Sequence, residues 1–569
     1  MMPTKLYKYT SKRSVFYNVL VFAVTLGLTA CSGGGGGSQQ SPANSSSMAK
    51  TSVIATGDID CPNGGILVES GIDDNANSIL DASEVDSSEK VCNGTSGVNS
   101  LITITAEAAG VNCSDGGKRI DSGLDLNSNG LLDSGEITQT GYVCNGVGGG
   151  IGWKTAAVIE TDNRGTADNP SITIASNNDV VAVWEQSDGL LLHAWSNRYT
   201  PATGWGTAGP IDTSTTENSF LPVVAEDNNG NAMAIWTQSD GINPANLWSN
   251  YYTAGVGWGA PELVETDDSG EAAGHSVVID TSGNAVAIWA QSDGSVYNIW
   301  SNRYVPGSGW GTPELIELNS GDALPPKAAI DSSGNIITVW EQFNGSTFDI
   351  WSNRYVAGSG WGTAALLEPV NTGSYDIGLQ IIMDSGGDAA VIWSLTEGST
   401  RNIGTSRYTF GSGWGTAVYI DQTHAANAAT APQIAINSTG NAVAVWQQTG
   451  TPTKIWANRY VVGSGWSTAE LIEPDGDLSG PSARPQVAID TNGNVEAVWE
   501  KNDGVRNNIW ANRYVPGPGW GNPELIETDN SGDASLPQVV LNSAGNTTAV
   551  WKQTDGTNYS IWANYRRSQ

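Results

Sequence analysis

The sequence predicts an all-β protein whose larger part is a repeat array, and three observations lead there. Gly (70) and Trp (23) are abundant against Met (5) and Phe (6), while charged residues make up only 15% of the chain. That composition suits tight turns and a recurring tryptophan position better than an α-helical or α/β enzyme. From Trp153 to Gln569 the chain repeats about every 52 residues, and every tryptophan falls into one of three slots of that repeat.

The first slot follows a glycine and holds Trp153, Trp205, Trp258, Trp310, Trp361, Trp414, Trp466 and Trp520. The second closes an apolar run at Trp184, Trp236, Trp289, Trp340, Trp393, Trp446, Trp499 and Trp551. The third holds Trp195, Trp248, Trp300, Trp351, Trp456, Trp510 and Trp562, with Gly404 in the remaining place. Within one repeat, Val277-Val278-Ile279, Ala285 to Trp289 and Asn298 to Tyr304 are short β-rich runs separated by Asp/Asn-Gly turns, the pattern of consecutive hairpins. The turn position of Gly283 is glycine in seven repeats and Asn178 in the other, and both residue types tolerate the left-handed conformation of a bulged turn. A fourth run, such as Pro261 to Glu265 or Pro523 to Glu527, follows each Gly-Trp.

Four short strands per repeat of this length describe a propeller blade, so residues 151–569 are predicted to form an eight-bladed β-propeller. The short apolar run at Val277 to Ile279 is placed innermost and the Pro-Glu-Leu-Ile-Glu run outermost. The chain then begins with an outer strand, Thr155 to Glu160, which can complete the last blade and close the ring, removing open sheet edges.

Ahead of the ring, four bases up to Arg13 precede an apolar run from Val15 to Leu28 that is too short for a membrane span, so residues 1–30 read as an export signal. Leu28-Thr29-Ala30-Cys31 resembles a bacterial lipobox, which implies that Cys31 is the lipidated first residue of the mature protein. With Ser32 rather than Asp after it, the resemblance implies the outer membrane of a Gram-negative envelope. An ordinary signal peptide with a coincidental cysteine is the alternative. Residues 31–50 form a Gly/Ser-rich tether.

Residues 51–98 and 99–150 are two copies of a small module, offset by 52. With Cys31 taken by lipid, the other four cysteines fall into equivalent sets, Cys61 with Cys92 and Cys113 with Cys144, which read as two local disulfides in an oxidising compartment. Between the cysteines lie Asp73, Asn75, Asn77, Ile79, Asp81 and Glu84 in one copy and Asp125, Asn127, Asn129, Leu131, Asp133 and Glu136 in the other. These resemble positions 1, 3, 5, 7, 9 and 12 of an EF-hand-type loop, where alternate oxygen donors turn inward around calcium and the last carboxylate closes the shell. Gly130 fills the sharp-turn position of the second loop, and Ser78 stands there in the first. The flanks are too short for long EF-hand helices, so a disulfide-stapled turn is expected, with calcium held weakly at ~10⁻⁴ to 10⁻³ M. Polar turns without metal are the other reading.

The formal net charge is −33, and the export signal carries four bases and no acid. So acidic a surface excludes nucleic acid and anionic headgroups as partners and favours cations. In the ring the polar residues occupy repeated slots, whereas one active site needs a unique set. Arg198, Arg303, Arg354, Arg407, Arg459 and Arg513 share a slot, with Tyr251 and Tyr565 substituting, and read as blade-to-blade hydrogen bonds or stacks on tryptophan. Glu265, Glu317, Glu368, Glu473 and Glu527 recur at outer-strand ends, where solvation is expected. His193, His275 and His424 fall in three different slots, which supports neither a zinc site nor a His-based triad. The second and third tryptophan slots read as inter-blade core. Trp205, Trp258, Trp310, Trp361, Trp414, Trp466 and Trp520, beside Gly/Ser turns, are the candidate ligand platform, together with the loops between outer and inner strands.

The repeats resemble sialidase-like and sugar-binding lectin propellers, a resemblance that implies the fold and no catalytic residue, since five residues separate Gly283 from Trp289 where an Asp box would place them closer. The expected function is a non-enzymatic, lipid-anchored envelope protein that binds a glycan or a protein, with calcium-stabilised modules and no organic cofactor. A carbohydrate-active hydrolase or lyase using acids from different blades, or a structural part of an envelope assembly, are the alternatives.

Overall fold

A computed structural model divides the chain into two compact units, residues 1–152 and 153–568. It describes the strands and a few loop residues between Ser46 and Cys144, and most of 152–568 apart from short loop stretches such as 373–377, 422–427 and 474–479. All regular structure among the described residues is β.

The first unit contains two three-stranded antiparallel sheets. One is β1 (Ser46–Ile54), β2 (Gly65–Asp73) and β3 (Val85–Cys92); the other is β4 (Ser100–Glu107), β5 (Gly117–Leu124) and β6 (Ile137–Cys144). The sequence repeat reappears as register: Gly65 faces Cys92, and Gly117 faces Cys144. β1 begins inside the 31–50 stretch read as tether, because Ser46 to Lys50 pair with Asp73 to Glu69 of β2. The export signal, Cys31, Cys61 and Cys113 lie outside the described residues, and of Cys92 and Cys144 only the strand backbone is described.

The second unit is an eight-bladed β-propeller. Its inner strands are Ala167–Ile174, Asn218–Glu226, Ala272–Ile279, Lys327–Ile330, Gln380–Met383, Ala429–Ile436, Ser482–Ile489 and Ala534–Leu541, which open blades 1 to 8. Each packs against the next, and the last packs against the first. In blade 1 the second strand (Val180–Ser187) pairs antiparallel with the inner strand and with the third (Leu192–Thr200). The outer strand is broken into Gly204–Trp205 and Gly209–Pro210, both paired to the third. An asparagine on the third strand bridges the break and reaches back one blade: Asn197 Nδ2 donates to Gly206 O (3.0 Å) and to Ile159 O (2.7 Å). Asn250, Asn302, Asn353, Asn458, Asn512 and Asn564 repeat the bond to the preceding blade.

Closure follows the expected scheme. Val158 and Ala157 pair with Trp562 and Ala563 of the last third strand (Tyr559–Arg567), so the first-made strand completes blade 8. Lys552 Nζ lies 2.8 Å from both carboxylate oxygens of Asp168, joining blade 8 to blade 1.

The core lies between blades. All eight tryptophans of the second slot are at most 1% exposed. Residues two apart on a strand share a face, so the glutamine two positions on can accept the buried indole N–H. Trp184 to Gln186 (2.7 Å), Trp289 to Gln291 (2.7 Å) and Trp340 to Gln342 (2.8 Å) are examples. In the third slot Trp195 is buried and the other tryptophans are half-buried. The turn between inner and second strands requires left-handed backbone, with Gly283 at φ +79° and Asn178 at +70°. Asp280 stabilises that turn by accepting from the N–H groups of Ser282 (2.8 Å) and Asn284 (3.0 Å).

Candidate functional site

Antiparallel blades give the ring two faces. One carries the inner-to-second and third-to-outer turns, and the other carries the second-to-third hairpins and the loops that lead from one blade into the next.

On the first face the arginine slot forms a clamp between blades. Each guanidinium lies over the tyrosine of the following blade: Arg198 over Tyr252 (4.7 Å to the centroid), Arg303 over Tyr355 (5.7 Å), Arg354 over Tyr408 (5.9 Å), Arg407 over Tyr460 (4.0 Å) and Arg459 over Tyr514 (3.9 Å). The contact is therefore blade to blade, as expected, but the ring is tyrosine and not tryptophan. Where tyrosine replaces arginine, two rings stack, Tyr251 on Tyr304 (5.1 Å) and Tyr565 on Tyr199 (5.5 Å). At the junction of blades 7 and 8 the tyrosine position is Arg566, and the fully buried Glu496 stands between the two guanidiniums, 3.1 Å from Arg513 and 3.5 Å from Arg566. The six arginines of the slot are thus spread over six junctions, with Arg566 joining Arg513 at one of them, and do not gather in one pocket.

The Gly-Trp residues are half-buried, each edge-on to the tyrosine six positions earlier, as in Tyr199 with Trp205 (5.7 Å) and Tyr304 with Trp310 (5.5 Å). The same geometry holds Trp258, Trp361, Trp414, Trp466 and Trp520. Their indole N–H edges turn toward the preceding blade: Trp258 donates to Ser196 (2.7 Å), Trp310 to Ser249 (2.8 Å) and Trp414 to Ser352 (3.1 Å). Trp520 and Trp153 meet Ala457 and Ala511 in the serine position, and their N–H groups have no acceptor. What each presents to solvent is the part of the ring away from this edge.

The outer-strand acids are not solvated, contrary to expectation. Glu265, Glu317, Glu473 and Glu527 are at most 5% exposed, and Glu368 is half-buried. Glu265 and Glu473 satisfy the free N–H at the start of the third strand, on Leu247 (2.8 Å) and Ile455 (2.7 Å), while Glu317 accepts from Asn319 N–H (2.6 Å) and Glu527 from Gln553 Nε2 (3.3 Å). Burial pushes the carboxyls of Glu317, Glu368 and Glu527 above their ordinary range. His193 Nδ1 lies 2.8 Å from Asp212, which also accepts from Ser219 Oγ, so the serine meets the carboxylate and not the imidazole. His275 is buried against the Leu221 carbonyl (2.8 Å), and burial lowers its pKa to about 4, leaving it neutral at physiological pH. His424 lies outside the described residues.

The second face carries concave sites. In blade 4 a cavity of ≈ 480 Å³ is lined by Phe343, Trp351, Asn319, Gln342 and Asn344. Blade 4 has Phe343 where blades 1 to 3 have serine, and Phe343 packs on Phe348 (5.2 Å between centroids). The floor is drawn tight: a Cβ on Gly321 would lie 2.0 Å from the Phe343 carbonyl oxygen, so only glycine lets the incoming loop close on the hairpin. Gln342 Nε2 donates to the Gly321 carbonyl and its Oε1 accepts from Trp340, which fixes the amide. Asn319 Nδ2 is enclosed with no acceptor. An aromatic wall with fixed amides suits a ligand having one apolar face and several hydroxyls.

In the second module the loop residues of calcium type converge. Asn127 and Asn129 Nδ2 reach Asp133 Oδ2 at 2.8 and 2.9 Å, and Glu136 accepts from the N–H groups of Asn127 (3.2 Å) and Asp133 (3.0 Å). Positions 3, 5, 9 and 12 are thereby brought together. Asp125, Leu131 and, in the first module, Asn75, Asn77, Ile79, Asp81 and Glu84 lie outside the described residues, as does the side chain of Asp73.

Residues 46–92 and 99–144 each match a family model described as a domain of unknown function (DUF7151). No curated protein matches the sequence. Among solved structures, the BP39L lectin of Burkholderia pseudomallei is 13% identical, with 64% of this chain and 99% of that one covered at a TM-score of 0.43. A polysaccharide lyase bound to an ulvan fragment is 11% identical over 71% of this chain and 95% of that one, at 0.42. A protein of unknown function from Dyadobacter fermentans is 11% identical over 74% of this chain and all of that one, at 0.38. These are distant likenesses.

Proposed function

We propose that the propeller is a non-enzymatic binding module for glycans, carried by a lipid-anchored envelope protein. The observation that supports it is the blade 4 cavity, where Phe343 and Trp351 line the wall for the C–H face of a sugar and Asn319 and Asn344 place amides beside them. The slot arginines lie at separate blade junctions and the repeated outer-strand acids at separate strand ends, so neither set is gathered in one pocket as a hydrolase or lyase would need. Asn319→Ala with Phe343→Ser should lower affinity at least tenfold for whichever oligosaccharide binds best on an array of neutral, N-acetylated and acidic glycans, with the melting temperature little changed. Equal binding by the variant would remove this cavity from the reading. A wild-type protein that binds nothing on the array would remove the glycan reading itself.

Lipid attachment at Cys31 and placement at the outer membrane belong to the same proposal and rest on the sequence pattern alone. Calcium in the module loops is likewise proposed. The donor set fits a hard cation: Asp133 and Glu136 supply carboxylates, and Asn127 and Asn129 would turn their amide oxygens inward. At 10 mM calcium and a Kd of ~10⁻⁴ M, binding should stabilise the module region by about 2.7 kcal/mol. Calorimetry of the whole protein in EDTA and in calcium checks this, and identical melting of the module transition in both would exclude the sites.

A further inference from the structure

The loop-face end of the central axis carries a feature that breaks the eightfold repeat. A cavity of ≈ 410 Å³ there is lined by equivalent inner-strand residues of seven blades, among them Gln380, Gln433, Gln486 and Gln538 from blades 5 to 8 and Lys327 from blade 4. Across the axis, blades 1 and 2 contribute Ser171 and Val223, with Leu221 and Leu536 at the rim. None of the four glutamine side chains has a hydrogen-bond partner among the described residues. One half of the wall is therefore an arc of carboxamides, each able to donate and accept, and the opposite part is small or apolar apart from Asn169, whose amide already donates to Glu185 (2.8 Å).

The backbone at this level is left-handed in seven of the eight blades, blade 1 included with Asn169 (φ 50°) before Pro170, so the conformation belongs to the repeat. Gln433, Gln486, Gln538 and Val223 each resume the ladder just after a bulge. The bulge holds a residue in left-handed conformation directly before proline: Leu221 (φ 51°), Ala431 (50°), Arg484 (48°) and Leu536 (54°). Such a conformation costs a non-glycine residue about 1–2 kcal/mol, and blades 3 and 5 reach it without that cost by using Gly274 and Gly378. Neighbouring blades hold it in place, Glu185 accepting from Leu221 N–H (2.9 Å) and Glu500 from Leu536 N–H (2.7 Å). Bulges re-aim side chains, and in blades 6 to 8 the residue that resumes the ladder after the bulge is the glutamine that lines the cavity.

We propose that the axial cavity receives the terminal ring of a glycan end-on, its hydroxyls on the glutamine arc and its C–H face on Val223 and Leu221, one chain end per propeller. This rests on the glycan reading and places a second contact away from blade 4. The test uses the full chain and the oligosaccharide that binds best on the array described above. Gln433→Leu/Gln486→Leu/Gln538→Leu should weaken it at least tenfold, and adding the oligosaccharide to wild-type protein labelled with ¹⁵N-glutamine should shift side-chain amide signals that the triple variant lacks. The spectrum keeps the test decisive even where the variant folds poorly. Unmoved amide signals with binding intact would overturn the axial site and leave the glycan reading standing. A wild type that binds no glycan would overturn both.

Discussion

Glu496→Ala should destabilise the protein by about 3–5 kcal/mol, because it leaves two guanidiniums facing each other in a buried junction. Arg513 and Arg566 are 3.1 and 3.5 Å from the Glu496 carboxylate, whose side chain is fully buried. Burial raises that carboxyl's pKa, while Arg566 and then Arg513 oppose the rise. The repeat itself supplies a rescue. At the junction of blades 6 and 7 the same three positions are Val443, Arg459 and Tyr514, and there the guanidinium lies 3.9 Å over the ring. Glu496→Val/Arg566→Tyr should therefore return to within about 1 kcal/mol of wild type, since an apolar replacement of a buried ionic group is often neutral. Denaturant unfolding of the three proteins checks this. An alanine variant as stable as wild type would mean that Glu524, 3.3 Å from Arg566 Nη1, suffices to neutralise that guanidinium.

The second large effect depends on pH. Glu226 ends the inner strand of blade 2 in a slot that holds isoleucine in blades 1, 3, 4, 6 and 7. Its side chain is fully buried, and although Arg198 Nη2 comes within 2.9 Å, neither carboxylate oxygen gains a well-aligned hydrogen bond. Desolvation pushes its pKa from 4.5 up to about 8, with Arg198 pulling the other way. Between those values the folded protein holds a proton that the unfolded chain has lost. Stability should then be unaffected by this group below pH 4.5 and fall as pH rises toward 8, by up to about 1.4 kcal/mol per unit. Glu226→Gln removes the titration. Its stability should match wild type at pH 4 and exceed it by roughly 2–4 kcal/mol at pH 8.5. Parallel stability curves for the two proteins from pH 4 to 8.5 would contradict the assignment.

Eight blades and their closure were legible because a blade buries its second-slot tryptophan wherever it stands, so the period is written in every copy. The exchange of Gly283 and Asn178 was legible for the same local reason, that both accept positive φ. What sequence reading missed depends on neighbours some 50 residues away. The arginines look alike in sequence, but whether each lies over a tyrosine or must share a carboxylate is decided by the next blade, as Arg566 demonstrates. The outer-strand acids looked solvated because the N–H groups they serve belong to another strand. The Pro-Gln pairs at 432–433, 485–486 and 537–538 could have been noticed, yet only the bulge before each glutamine turns it toward the axis.

The pairing of Ala157 and Val158 with the last third strand also sets the order of events in synthesis. The segment that leaves first is needed last, and it has to stay unpaired until some 400 more residues have followed it. Blades 1 to 7 can each form from neighbouring sequence as it emerges, but the ring has an open seam until its final strand is delivered. Lys552 and Asp168 then fasten that seam, so the assembly becomes resistant to unravelling only when the whole chain is present.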